Sequence, residues 1–182
     1  MKIGKQTQII IGVIVIVVIA AVGWYAFIQK PLPTLSEDNL DAINHYNTGN
    51  SMAMEGKYED ALNETEKALA INSNFPPAWV QKADALNHLG QYSEAVNATS
   101  RALSLNSTDN STKAMAWAVR ADALNNLGLY EQAIVASNTA LQLEPELPMA
   151  ATTKSFAQSM LAMVSNGTGN TSVRKQPGTA TG

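Results

Sequence analysis

The reactive inventory of this 182-residue chain is short. It holds two histidines, His45 and His88, no cysteine, and fifteen carboxylates against twelve Lys and Arg. An enzyme needs convergent groups, and no Gly-rich phosphate loop or metal-ligand cluster of recognised spacing is present. Thiol chemistry and disulfides are excluded outright. No cofactor, no metal and no catalytic residue are therefore expected. What remains is recognition. Asp84, Asn87 and His88 stand in the stretch KADALNHLGQY, and Asp122, Asn125 and Asn126 in RADALNNLGLY. An Asn side chain both donates and accepts, so such residues suit the backbone of an extended peptide as well as they suit water. His88 reads equally as a ligand contact and as a solvated polar residue; His45 reads as a packed or half-exposed side chain.

These groups are positioned by an internal repeat. KADALNHLGQY at 82–92 answers to RADALNNLGLY at 120–130, with Trp79 and Trp117 each three places ahead. Thirty-four places before Gly90 and Tyr92 stand Gly56 and Tyr58, and the same step takes Ala95 to Ala61 and Ala102 to Ala68. Each of the three copies predicts a helical hairpin. Small Ala83 and Ala95 let two helices approach, Trp79 and Leu86 fill the space between them, and Gly90 ends the first helix. A unit this thin cannot bury both faces alone, so the copies must stack. Pro76 and Pro77 fit the start of a helix. From Trp79 to Trp117 the step is 38 residues, and Asn110–Lys113 is expected as a loop insertion.

The pattern resembles the tetratricopeptide repeat family, with copies at 42–75, 76–109 and 114–147 and a capping helix at 148–164 inside a domain of 36–165. The resemblance rests on Trp79, Trp117, Gly56, Gly90, Gly128, Tyr58, Tyr92, Tyr130, Pro145 and the Ala series. His45 departs from the opening Trp, and Lys82 and Arg120 from a usual Leu. The fold implied is an all-α solenoid whose first helices line a concave groove. The groove positions it implies are Tyr46, Asn50 and Met54; Val80, Asp84, Asn87 and His88; and Ala118, Asp122, Asn125 and Asn126. Chaperone-type members hold a terminal carboxylate with Lys, Asn and Arg. The matching places here are Tyr46, Asn50, Gln81, Met115 and Val119, of which only Asn50 fits. The cap, built on Met149, Phe156, Met160 and Met163, should close the stack with a polar outer face.

Ahead of the repeats, residues 9–28 carry no charge and as a helix would span about 30 Å, enough to cross a bilayer. Lys2 and Lys5 in the segment 1–8 favour a cytoplasmic N-terminus, which sends the repeats outward from the cell membrane behind a Pro-rich spacer at 29–35. A cleaved secretory signal is the competing reading. Residues 166–182 are polar and Gly-rich and predict a disordered tail. Six Asn-x-Ser/Thr sequons, at Asn63, Asn97, Asn106, Asn110, Asn166 and Asn170, agree with an outward-facing glycoprotein, as well as with a generally Asn-, Ser- and Thr-rich chain.

Residues 37–165 contain all fifteen acids and seven bases, the opposite of a nucleic-acid footprint. The expectation is a membrane-tethered, non-enzymatic scaffold that binds a protein or peptide segment in its groove. The alternative is a subunit that self-associates into an envelope structure.

Overall fold

The structure, a computed structural model, describes residues 37–105 and 109–166. These residues form seven helices and no strand. Helix α1 (Glu37–Met54) doubles back as α2 (Tyr58–Ile71), α3 (Pro76–His88) as α4 (Tyr92–Ser104), and α5 (Asn110–Asn126) as α6 (Tyr130–Leu143); α7 (Pro148–Asn166) follows. The first two predicted segments, 1–8 and 9–28, the spacer 29–35 and nearly all of the tail lie outside the described residues. Among the described residues, no helix is long and apolar enough to cross a membrane.

Each hairpin turns on a glycine. Gly56, Gly90 and Gly128 sit at φ +77°, +76° and +75°, where a side chain would be strained. At Gly90 the glycine amide donates to Asn87 O and the Gln91 amide to Leu86 O, at 3.0 and 2.9 Å; Gly128 and Leu129 repeat the pair on Asn125 O and Leu124 O. Helix carbonyls that would end unpaired are thereby satisfied in every copy.

Alanine sets the spacing inside and between hairpins. Ala61, Ala68, Ala83, Ala95, Ala121, Ala133 and Ala140 are all fully buried. In α1 the place of Ala83 and Ala121 is taken by Gly49. A Cβ there would lie 3.0 Å from Thr65 Oγ1 and 3.1 Å from the backbone oxygen of Ala61, so α1 and α2 approach too closely at this point to admit a side chain without a shift.

Three expectations are corrected. Asn110–Lys113 is not a loop: the four residues form the first turn of α5, making it 17 residues long against 13 for α3. Asp109 caps that turn, its carboxylate accepting from the amides of Ser111 at 3.1 Å and Thr112 at 3.0 Å. The tryptophans are only half-buried, because each lies at the edge of its hairpin under a cation. Lys82 Nζ and Arg120 Cζ stand 5.8 Å from the rings of Trp79 and Trp117. That arrangement explains the departures from Leu. Lys82 continues to Glu66 Oε1 at 2.6 Å, and Arg120 donates to Ser100 Oγ at 2.6 Å, equivalent places on the second helix of the preceding hairpin. Lastly, α7 buries Ala150, Thr153 and Ala157 but leaves Phe156, Met163 and Val164 more than half exposed, so its outer face is not uniformly polar.

The first helices α1, α3, α5 and α7 each touch the next in the row, whereas α2, α4 and α6 touch only the first helices on either side. Outer helices that stand apart while inner ones meet bend the stack toward the inner row.

Candidate functional site

On that inner side lies an open cavity of about 420 Å³. Helix α1 contributes Tyr46, Asn50 and Ala53; α3 contributes Pro77, Val80, Gln81 and Asp84; α5 contributes Ser111, Thr112, Met115 and Val119; α7 contributes Met149. The extra turn of α5 thus supplies two hydroxyl-bearing residues to the lining, a contribution hidden by reading Asn110–Lys113 as a loop. Tyr46 leans on Phe75, with ring centroids 5.1 Å apart, and burial holds its phenol above the ordinary value. Gln81 Nε2 donates to Tyr46 O at 3.2 Å and its Oε1 accepts from Thr65 Oγ1 at 2.8 Å, fixing the groove's floor between the first two hairpins.

Of the positions expected in the groove, Tyr46, Asn50, Val80 and Asp84 line this cavity. Met54 is 83% exposed, its Sδ 4.0 Å from Asn50 Nδ2, and Asn126 is exposed beyond the lining, its amide donating to Asp122 O at 3.1 Å. His88 stacks flat on Tyr58 of the preceding hairpin, ring centroids 4.0 Å apart. Ala118 is fully buried.

Asn87 and Asn125 are buried at 7% and 6% exposure. Asn87 Nδ2 donates to Val119 O at 3.0 Å and Asn125 Nδ2 to Thr153 O at 2.9 Å, tying α3 to α5 and α5 to α7. Their Oδ1 atoms have no hydrogen-bond partner. The family resemblance placed these amides on the inner helices; what it could not express is how closely successive inner helices approach.

The electrostatics are one-sided. Among the described residues, Asp84 is the sole charged one in the lining. Burial raises its carboxyl above the ordinary value, with His88 acting to lower it and Asp122 to raise it further. Asp122, one repeat on, is likewise raised by burial. Among the described residues there is no group of three or more His, Cys, Asp or Glu that could hold a metal ion.

The sequons sort by helix face. Asn63 and Asn97 are exposed on α2 and α4, but their Thr65 and Thr99 are fully buried and hydrogen-bonded to backbone oxygens of Ala61 and Val96. Packing between helices is itself a reason for Thr there. Asn110 opens α5 rather than standing in a loop, and its Thr112 bonds Asp109. Asn166 ends α7, and Asn106 and Asn170 lie outside the described residues.

Residues 52–117 and 114–147 each match a sequence model of the tetratricopeptide repeat family, together spanning more than half of the chain. No curated protein matches the sequence. Among solved structures, the second tetratricopeptide domain of human RPAP3, in complex with the HSP70 peptide SGPTIEEVD, is 29% identical. It superposes with a TM-score of 0.59 over 66% of this chain and 98% of that one. The first such domain of human RPAP3 gives 23% identity and a TM-score of 0.63, covering 71% and 99%. The Sgt2 domain from Aspergillus fumigatus gives 17% and 0.64, covering 84% and 93%. Repeat register, glycine turns, family matches and fold agree, and the chain belongs to the tetratricopeptide repeat family.

Proposed function

We propose that this protein is a non-enzymatic scaffold, anchored by residues 9–28, whose inner groove holds a segment of a protein partner. The observation that carries the reading is the cavity shared by α1, α3, α5 and α7, open to solvent and floored by fixed polar groups. A peptide laid across it meets a backbone-competent amide at Asn50 and apolar surface at Val80, Met115 and Met149. The RPAP3 domain in complex with a peptide lends support by analogy of fold. The anchor rests on the uncharged run 9–28 and its flanking lysines. Glycans at Asn63 and Asn97 would have to be added before the helices close, since Thr65 and Thr99 are inaccessible afterwards.

A second reading has its own observation. Phe156, Met163 and Val164 form an exposed apolar stripe on the terminal helix, suited to a second copy in a self-associating assembly. Photo-crosslinkers at Asn50 and Asp84, and separately at Phe156 and Met163, placed in the full chain in membranes, tell the two apart. The scaffold reading expects one heterologous protein captured from the groove positions. Capture of the chain's own copies from the α7 positions, with none from the groove, refutes it. Release of the protein from membranes by alkaline carbonate would remove the anchor from the proposal.

A further inference from the structure

The carboxylates at the groove differ from the lysine-paired carboxylates of the first hairpin. Glu55, Glu64 and Glu66 each hold a lysine ammonium at 2.6–2.7 Å. Asp84 and Asp122 do not. Asp84 meets only His88 Nε2 at 4.0 Å, beyond hydrogen-bond reach, and 36% of its side chain is exposed. Asp122 Oδ2 receives Asn87 Nδ2 at a marginal 3.5 Å, because that amide spends its better bond on Val119 O at 3.0 Å. Among the described residues, the cavity lining contains no Lys or Arg. The only formal charge that the lining carries among the described residues is therefore negative.

We infer that the segment held in this groove is basic, and that a Lys or Arg side chain of it sits against Asp84 and Asp122. The inference rests on the groove reading above and gives it a ligand class. An ammonium or guanidinium brings donors only, three or five of them, to two carboxylates that when ionised are acceptors only. It also offsets the like charge that each carboxylate imposes on the other. An acidic segment finds the reverse: no cation in the lining and two carboxylates beside it. The ligand preference is thus of opposite sign to a carboxylate-terminated peptide. Its source is taken to be a separate protein, to which the cavity is open along the inner helices of all three hairpins.

The test uses the full chain in detergent micelles and three fluorescein-labelled nonapeptides, acetylated and amidated, alternating Ala with Lys, Ser or Glu. At physiological salt the Lys peptide should bind about tenfold or more tighter than the Ser peptide, the Glu peptide weakest. Asp84→Asn and Asp122→Asn should each erase part of that preference and together all of it. Glu94→Gln and Glu131→Gln, on exposed positions of α4 and α6, should leave it unchanged. Equal affinities for the three peptides, or no binding of any, overturn the inference. So does a Lys preference that Glu94→Gln and Glu131→Gln reduce as much as the groove variants. Photo-crosslinking from Asn50 and Met115 separates the two failures: equal Lys and Ser capture in the groove refutes the charge and keeps the groove, whereas capture elsewhere refutes both. A Lys preference seen only after deletion of residues 167–182 would assign the carboxylates to the chain's own Arg174 and Lys175 and overturn the separate partner.

Discussion

Asn125 offers the sharpest perturbation of the inner row. Its Nδ2 donates to Thr153 O at 2.9 Å, its Oδ1 has no partner, and the residue is 6% exposed. Asn125→Ala removes one neutral hydrogen bond, a loss of about 1 kcal/mol, and removes a buried acceptor whose desolvation cost about as much. Thr153 lies within α7, so its oxygen keeps its helical amide and is not orphaned. The remaining cost is the space left by the amide group, and the net should be about 1 kcal/mol. Asn125→Asp differs by one atom yet sets a buried carboxylate against a carbonyl oxygen, an uncompensated charge that should cost on the order of 3 kcal/mol or more. In a domain of this size each kcal/mol moves the melting midpoint by roughly 4 °C. Hydrogen exchange adds location: in Asn125→Asp the amides of α7 should lose protection before those of α1 and α2, since the broken tie joins α5 to α7. If Asp and Ala prove equally mild, the amide is a spacer rather than a donor to α7, and the account of the inner row fails.

Three further outcomes follow from the packing and charges. Gly49→Ala should destabilise by about 1 kcal/mol, overpacking against Ala61 O outweighing the better helix propensity, and a more stable variant in urea titration would show that α1 and α2 are not held that close. Trp117→Ala should cost about 2–3 kcal/mol, below the loss for a fully buried indole, and should also free Arg120; an unchanged midpoint would remove Trp117 from the packing. Asp84→Asn should raise stability near neutral pH. A carboxyl raised in the fold binds its proton more readily there than when unfolded, so stability falls as pH rises through the folded value. The gap between Asp84→Asn and the parent should therefore narrow as pH drops through that raised value and close near the ordinary 3.8; a gap that widens on acidification refutes the burial of Asp84.

The hairpins were legible because they follow from local rules. Gly56, Gly90 and Gly128 recur at the repeat spacing, and all three adopt the positive φ that the turn requires. Pro76 and Pro77 open α3 as their missing amide donors allow. The groove was legible only as far as helix identity went. Which inner-face residues meet solvent depends on the distance between neighbouring repeats, a nonlocal quantity, and so Asp84 faces the cavity while Asn87, three residues on, is buried against Val119 O. The first turn of α5 had a signal that could have found it, Asp109 two and three places ahead of Ser111 and Thr112, where a capping carboxylate belongs. Gly49 had another, its register with Ala83 and Ala121. The half-buried tryptophans had none, because the cations above them come from the same positions that a Leu would fill.

The contact of inner helices without contact of outer ones gives the array a mechanical sign. Flattening the stack stretches the inner row and works against the Asn87 and Asn125 ties, while the outer helices make no contact with one another to oppose it. Tightening the stack presses inner helices that already touch. Curvature is therefore governed from the side that carries the cavity, and a segment held there as proposed, spanning α1 to α5, would brace the row under tension. Occupancy would be felt on the convex surface as a fixed spacing of α2, α4 and α6, a signal that a second protein resting on those helices could read without touching the groove.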